Sequence, residues 1–258
     1  MPQKRSVPPP KPSFIAIVQA RMGSTRLPGK VLKVVEGKPL LEHLIDRLRF
    51  SKNIYKIVIA ATVLKEDDAV EELCKKLGVE CFRGSADDVL DRYYQAAIKY
   101  RADVIIRITA DCPVIDPVII DKMIGSYKRE IDEYDYFSNI YPTRTYPQGL
   151  DVEIFTFAAL KETWKNAVNA PDKEHVTPYI HIHPEKFKIY NYKDKRDFSR
   201  YRWTVDTGED LRLIKEIYGA LYKKNKMFLY NDILKLMEKR PELSKINEMI
   251  KQKKKYGE

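Results

Sequence analysis

Residues 14–30 read FIAIVQARMGSTRLPGK, and this stretch decides the fold of the chain. Its first seven residues form a nearly continuous apolar run, which predicts a strand covered on both faces, as in a parallel sheet. The strand runs into a loop of small residues that carries three cations, Arg21, Arg26 and Lys30. Such a loop lies at the carboxyl edge of an open α/β sheet, where ligands bind. We therefore predict a triphosphate site here, with Arg21 and Lys30 facing solvent.

The spacing of this loop excludes two familiar phosphate-binding motifs. It matches neither GxxxxGK[ST] nor GxGxxG, so the P-loop ATPase and dinucleotide-binding interpretations fail. A solvated loop with incidental basic residues remains an alternative explanation of the same sequence.

The apolar pattern of the first half alternates between short runs and longer helical periods. Strands are predicted at 14–20, 56–62, 79–82 and 103–109, and helices at 39–50, 67–77, 86–100 and from Pro117 onward. This alternation predicts an α/β, Rossmann-like fold: a mostly parallel sheet with helices on both faces. After about residue 125 the regular alternation of strands and helices stops. The second half is predicted to elaborate this core, with short strands at 135–138, 151–155, 186–191 and 202–205.

The predicted organisation has three parts. Residues 1–13 form a flexible, basic, Pro-rich N-terminus, residues 14–240 the main domain, and residues 241–258 a C-terminal helix with a basic tail. No apolar stretch follows the basic N-terminus, so neither a signal peptide nor a membrane span is expected. Three cysteines without CxxC spacing argue against a disulfide framework and predict a reducing, cytoplasmic setting.

The net charge of +10 raises the question of nucleic-acid binding. Residues 1–13 contribute +3 and residues 251–258 another +3, which leaves +4 on the rest of the chain. A body so close to neutral favours a small phosphorylated ligand over a duplex, so no specific nucleic acid is expected.

Two aspartates are candidate metal ligands. Asp111 follows the buried strand at 103–109, and Asp206 follows the predicted strand at 202–205, so both could reach one edge of the sheet. A carboxylate beside a triphosphate requires a cation between them, because like charges repel once water is excluded. The alternatives are that Asp111 caps the turn before Pro113 and that Asp206 caps the helix beginning near Gly208.

Other candidates carry less weight. His181 and His183 would share one face of a strand, but without a third ligand they do not predict zinc. Cys112 lacks a neighbouring histidine and is expected to be a partly buried small residue. The Tyr-rich residues 134–146 could stack bases, yet core packing or a dimer contact explains them better.

Six segments together resemble one enzyme family. The motif at 19–30 resembles that of the sugar-activating cytidylyltransferases, which include the CMP-acylneuraminate and CMP-KDO synthetases. The likeness is greatest to the branch named for spore-coat polysaccharide biosynthesis protein F. Further matching motifs stand at 83–92, 107–117, 148–153, 174–178 and 202–210, so the resemblance covers about 14–253. Ala110 stands where the branch often has glycine, a departure that is harmless if φ there is negative.

The resemblance implies a glycosyltransferase-A-like fold and an Mg²⁺-dependent transfer of CMP from CTP to a sugar or sugar-acid acceptor. Arg21, Lys30 and Asp111 would be the catalytic residues and Asp111 and Asp206 the metal ligands. The nucleotide would contact Ala20, Arg21, Ser24, Arg26, Lys30, Gly84, Ser85 and Asp88, and the acceptor Gln148, Asp151, Glu153, Glu174 and His175. The family also implies a homodimer.

Two other functions remain open at this point. A glycosyltransferase of the same fold would use a nucleotide-sugar donor and would be favoured by a DxD pair, of which residues 109–113, TADCP, offer one aspartate. A basic RNA-binding or scaffold protein would need its charge on the folded body.

Overall fold

The computed structural model describes residues 12–130 and 133–250 of the 258. Within these ranges the chain forms nine strands and nine α-helices. The strands are β1 Phe14–Gln19, β2 Val34–Val35, β3 Lys38–Pro39, β4 Lys56–Thr62, β5 Glu80–Gly84, β6 Val104–Thr109, β7 Tyr136–Ser138, β8 Glu153–Thr156 and β9 Ile189–Asn191. The helices are α1 Leu40–Arg49, α2 Asp68–Leu77, α3 Val89–Tyr100, α4 Pro117–Arg129, α5 Phe157–Asn166, α6 Ala170–His175, α7 Pro178–Ile182, α8 Gly208–Leu221 and α9 Tyr230–Lys239.

Seven strands form one sheet in the order β5-β4-β1-β6-β8-β7-β9. The first four run parallel, β8 is antiparallel to both its neighbours, and β9 is parallel to β7. Six of the seven strands therefore point the same way, which confirms the predicted mostly parallel sheet. The reversed strand β8 begins at the edge of the sheet where its neighbours end.

The two faces of the sheet carry separate apolar layers. Along β1, Phe14, Ala16 and Val18 pack into one layer, and Ile15 and Ile17 pack into the other. A strand buried on both faces needs apolar residues at every position, which explains the continuous run in the sequence.

Helix boundaries follow local signals. Gly78 ends α2 in the left-handed conformation at φ 63°, and the Asp116 carboxylate accepts from the Val118 and Ile119 N–H groups at the start of α4. The helix predicted from 86 begins at Val89, because the Asp88 side chain caps it. Among the described residues, no helix is long and apolar enough to cross a membrane.

Three expected elements differ in the structure. Residues 202–205 form no strand, because they make a single bridge between Arg202 and Gln148. The histidines expected on a strand lie on and just after the short helix α7, which Pro178 opens. The C-terminal helix expected from 241 is a 3₁₀ turn, Pro241–Ile246, since Pro241 cannot continue α9. Residues 1–11 and 251–258, and with them the predicted flexible N-terminus and basic tail, lie outside the described residues.

Candidate active site

A cavity of about 380 Å³ opens at the edge of the sheet where β1 and β6 end and β8 begins. Most residues predicted for the site line it. They are Ala20, Arg21, Ser24, Arg26, Lys30, Asp111, Gln148, Asp151, Glu153, Glu174, His175 and Asp206. Gly84, Ser85 and Asp88 are not part of the lining and lie beside it.

The loop after β1 is held by its own backbone and by one buried carboxylate. The Ser24 and Gly29 N–H groups donate to the Met22 carbonyl at 2.8 and 3.0 Å, and Gly29 has φ 64°. This left-handed conformation favours glycine and closes the turn that leads into Lys30. The Met22 N–H donates to Asp67 Oδ1 at 2.7 Å, so a residue from the next βα connection anchors the loop.

Lys30 lies between two carboxylates. Its Nζ donates to Asp111 Oδ2 at 3.0 Å, to Asp206 Oδ1 at 2.8 Å and to the Val205 carbonyl at 2.9 Å. The Lys30 side chain is only 13% exposed, so the prediction that it faces solvent is wrong. Burial opposes the charged ammonium, but Asp111 and Asp206 outweigh it and raise the pKa of Lys30.

Asp206 forms ion pairs with two further cations. Its Oδ2 lies 3.0 Å from Arg26 Nη2 and 2.7 Å from Arg202 Nη2. Burial works against the carboxylate, yet Lys30, Arg202 and Arg26 together lower the pKa of Asp206 to about 2. Asp206 is therefore ionised at every physiological pH.

The start of α8 shows that Asp206 is not its cap. Thr207 Oγ1 accepts from the Asp210 N–H, and the Asp210 carboxylate accepts from the Thr207 N–H, which is a capping box. Asp210 also accepts from the Asp206 N–H and pairs with Arg202 Nε at 2.9 Å. The Asp206 side chain is thereby left to face the cavity.

Asp111 and Asp206 could hold a divalent cation. Among the described residues no group of three or more His, Cys, Asp and Glu side chains is arranged to bind a metal. The two aspartates nevertheless share one ammonium, so their oxygens are close enough to share one cation. Magnesium usually takes only one or two protein carboxylates and completes its shell with phosphate oxygens and water, so the pair fits it.

The other end of the cavity is built on the reversed strand. Arg107 on β6 faces Glu153 on β8 in the antiparallel register, and the two side chains form a buried ion pair. Burial opposes the charge on Arg107, but Glu153 raises the pKa of its guanidinium. Glu153 Oε1 also accepts from the hydroxyls of Tyr136 and Thr177 at 2.6 and 2.7 Å.

Gln148 and Asp151 reach the cavity from the loop before β8. Gly149 between them has φ 102°, and a Cβ there would lie 2.6 Å from the Trp203 backbone. Only glycine fits this approach, in which Trp203 N–H donates to the Gln148 carbonyl at 2.7 Å. Asp151 pairs with Arg144, whose Nη2 lies 3.0 Å from Asp151 Oδ2.

In the segment from Gly84 to Asp88, the Ser85 and Asp88 side chains accept hydrogen bonds from nearby backbone N–H groups. Asp88 Oδ1 accepts from the Asp91 N–H at 2.8 Å, and Ser85 Oγ accepts from the Asp88 N–H at 3.0 Å. A role for these residues in binding the base or ribose stays a prediction. Their link to the cavity is Arg92, whose Nη1 donates to the Ser85 carbonyl at 2.8 Å.

Among the site's residues that the sequence did not assign to it are Asp67, Arg92, Arg107 and Arg202. A single arginine inside the otherwise apolar strand at 103–109 was a usable signal for Arg107, because a strand covered on both faces rarely holds an uncompensated charge. Asp67 and Arg92 gave no such signal, because each stands in a helical segment with an ordinary share of charged residues.

The remaining candidates are structural. Cys112 is buried and burial raises its thiol pKa well above the usual value, so it is no nucleophile. His181 bonds to the Tyr136 hydroxyl at 2.9 Å and stacks on Tyr141, whereas His183 pairs with Glu185, so the two histidines do not share a site. Ala110 does not have positive φ, so its replacement of glycine is without strain.

A Rossmann-like sheet, a cationic loop at its edge and two carboxylates beside that loop define a nucleotide-binding α/β enzyme. The sequence model of the family described as cytidylyltransferase matches residues 15–250. The chain belongs to this family, as its motifs predicted. It is therefore a CTP-using nucleotidyltransferase.

Similar proteins agree with this assignment. An uncharacterized protein of Methanocaldococcus jannaschii is 40% identical over 93% of this chain and 96% of its own. The spore coat polysaccharide biosynthesis protein SpsF of Bacillus subtilis is 36% identical over 80% of this chain and 86% of its own. A solved cytidylyltransferase from Leptospira borgpetersenii superposes with a TM-score of 0.86 at 38% identity, covering 90% of this chain and 96% of that one.

Proposed function

We propose that this enzyme transfers CMP from CTP to an oxygen of a sugar or sugar-acid acceptor and releases pyrophosphate, in the synthesis of a surface polysaccharide or glycan precursor. The observation that carries the proposal is the position of Lys30. Its ammonium joins the cationic loop to Asp111 and Asp206 in the same cavity that holds Gln148 and Glu174.

The chain's residues act by binding and orienting. Arg21, Ser24 and Lys30 bind the triphosphate, and the residues of the opposite end hold the acceptor so that its oxygen faces the α-phosphorus in line with the leaving group. The new bond joins that oxygen to the α-phosphorus, and the bond to the bridging oxygen of pyrophosphate breaks. Fixed cations stabilise the charge that develops on the leaving group.

Magnesium is part of the proposal. When bound, it would neutralise the charge of the phosphate oxygens and hold the triphosphate against the two aspartates that carry it, Asp111 and Asp206. Lys30 supplies positive charge between the same two carboxylates. A metal held there would add to that charge beside the triphosphate.

The acceptor end suits a ligand rich in hydroxyl groups. Gln148, Asp151, Glu174 and His175 line it, and amide, carboxylate and imidazole groups all bind hydroxyls. The name of the Bacillus subtilis relative, a polysaccharide biosynthesis protein, supports a sugar-type acceptor.

The glycosyltransferase alternative has less support. Its DxD pair would need a carboxylate two residues before Asp111, and Thr109 stands there, with its hydroxyl donating to Asp111 Oδ1.

The experiment that tests the function incubates the protein with each nucleoside triphosphate and a panel of sugars and sugar acids, and follows pyrophosphate. Release that requires both CTP and one acceptor is expected. Release with all four nucleotides, or consumption of a nucleotide-sugar instead, would contradict the proposal.

We also propose that the enzyme is a homodimer and acts in the cytoplasm. The second half supplies aromatic residues of the kind that interfaces use, among them Tyr141, which is only partly buried in the single chain. All three cysteines are free, as a reducing compartment would keep them. Light scattering at micromolar concentration should give twice the mass of one chain, and a monomer mass would contradict the dimer.

A further inference from the structure

Arg92 is a buried cation at the cavity with no assigned role. It stands in the first turns of α3, lines the cavity and is 1% exposed. Its stem packs against Gly84, where an added Cβ would lie 3.1 Å from Arg92 Cγ. The side chain therefore runs beneath the segment from Gly84 to Asp88 and toward the cavity.

Only some of the hydrogen-bond donors of the Arg92 guanidinium have a partner among the described residues. Nη1 donates to the Ser85 carbonyl at 2.8 Å, whereas Nε is buried without a hydrogen-bond partner. No carboxylate among the described residues lies within ion-pair distance of Arg92. Two other buried arginines differ: Arg107 of the cavity wall pairs with Glu153, and Arg202 pairs with Asp206 and Asp210.

A second cation stands close to Arg92. Burial lowers the pKa of Arg92, and the charge of Arg21 lowers it further, whereas Tyr93, Asp67 and Asp88 act in the opposite direction. Arg21 lines the same cavity and has no ion-pair partner among the described residues. Two guanidinium groups that line one cavity and have no ion-pair partner among the described residues repel each other, and a buried cation is costly unless it is paired. An anion between them removes both costs.

We propose that Arg92 binds a phosphate group of the nucleotide together with Arg21. Phosphate oxygens would accept from the donors of Arg92 that the chain leaves open, in the geometry for which a guanidinium is suited. Because Arg92 also holds the Ser85 carbonyl, it links the phosphate site to the segment from Gly84 to Asp88. The inference rests on the proposed function, since the phosphate is that of CTP.

The test measures binding of two probes to the intact protein in metal-free buffer, which makes it independent of the magnesium proposal. Calorimetry follows inorganic tripolyphosphate, and ligand-observed NMR follows cytidine, which has no phosphate. Arg92→Gln is expected to weaken tripolyphosphate binding by about tenfold or more, the size of a lost charge-assisted hydrogen bond, and to leave cytidine binding unchanged. Lys99→Gln, which removes an exposed charge from the last turn of the same helix, is the matched control and should change neither.

The outcomes separate the possible roles. If Arg92→Gln lowers cytidine affinity and leaves tripolyphosphate affinity intact, Arg92 only supports the neighbouring segment and the inference is wrong. Where circular dichroism shows that Arg92→Gln does not fold, Arg92→Met replaces it, because it keeps an apolar stem and removes the charge, and a folded methionine variant with wild-type tripolyphosphate affinity overturns the inference. Arg92-dependent tripolyphosphate binding by a protein that shows no preference for CTP would contradict the proposed function and leave this inference standing.

Discussion

Arg107 and Glu153 face each other across the antiparallel pair β6–β8 and form a buried ion pair at the cavity. Their positions are 46 residues apart in the chain. The reversal of β8 brings the first residue of that strand opposite an arginine near the end of β6. The pair balances the charge at the end of the cavity where β8 begins, because each side chain would be an uncompensated buried charge without the other.

Replacing Glu153 should therefore destabilise the protein strongly. Glu153→Ala leaves Arg107 without its partner and should lower the free energy of unfolding by about 3 to 5 kcal/mol. Glu153→Gln keeps a carbonyl oxygen for the Tyr136 and Thr177 hydroxyls and should cost less. Urea unfolding measures both changes. Equal and small losses would show that the charge of Glu153 does not matter to the fold.

Lys30 and Arg21 should differ in their effect on stability. Lys30→Ala removes a buried ammonium from two carboxylates and should lower the free energy of unfolding by about 1 to 3 kcal/mol. Arg21 is exposed, so Arg21→Ala should leave stability almost unchanged. Both should reduce turnover by roughly 10² or more, because each cation would stabilise the transition-state charge. Near-normal turnover of Lys30→Ala would place the triphosphate elsewhere.

The two aspartates should control the response to magnesium. Asp111→Asn and Asp206→Asn keep the side-chain shape and lose the charge, so each should raise the magnesium concentration needed for half-maximal turnover and lower the maximum. Asp197→Asn is the matched control, because Asp197 is exposed away from the cavity and its Oδ1 accepts from the Ser199 N–H, a bond that asparagine can also make. Wild-type magnesium dependence in both variants would mean that the metal is not held here.

The low pKa of Asp206 predicts a loss of stability in acid. The pKa is about 2 in the folded protein and about 4 in an unfolded chain, so ionised Asp206 favours the folded state by on the order of 2 kcal/mol. This contribution is present above the unfolded-state pKa of about 4 and is lost as the pH falls through 2, because the unfolded state takes up the proton first and the folded state only near its own lower pKa. Urea unfolding of metal-free protein should show this loss in the wild type. Asp206→Asn should lack that part of the pH dependence, and an identical pH profile in the two proteins would contradict the prediction.

CTP should protect the protein from heat more than other nucleotides do. A ligand that binds only the folded state at a hundred times its Kd adds about 2.7 kcal/mol, which corresponds to roughly 5 to 10 °C for a chain of this size. ATP, GTP and UTP have the same triphosphate and can make the same phosphate contacts. They should nevertheless give smaller shifts, because a preference for CTP must come from contacts to the cytosine base. Differential scanning fluorimetry measures the shifts. Four equal shifts would mean that this protein does not select cytosine.

The layered sheet and the loop after its first strand could be predicted from local sequence. Both are local properties: apolar residues at every position of β1 require cover on both faces, and Gly29 permits the turn that leads into Lys30. The same is true of the cap at Asp116, whose carboxylate accepts from N–H groups within three residues of itself.

The contacts that these residues make depend on packing between distant parts of the chain. The burial of Lys30 depends on Asp111 and Asp206, which lie 81 and 176 positions away in the chain. Asp206 reaches the cavity without the expected strand, since the Val205 N–H and the Thr204 hydroxyl both donate to the Asp111 carbonyl, at 2.8 and 3.0 Å. Arg92 is buried without an ion-pair partner among the described residues, a property that depends on how the chain packs and that the sequence did not indicate. Pairing across such distances is set by strand order and by burial, because charges separated in sequence are matched only when the chain packs them out of water.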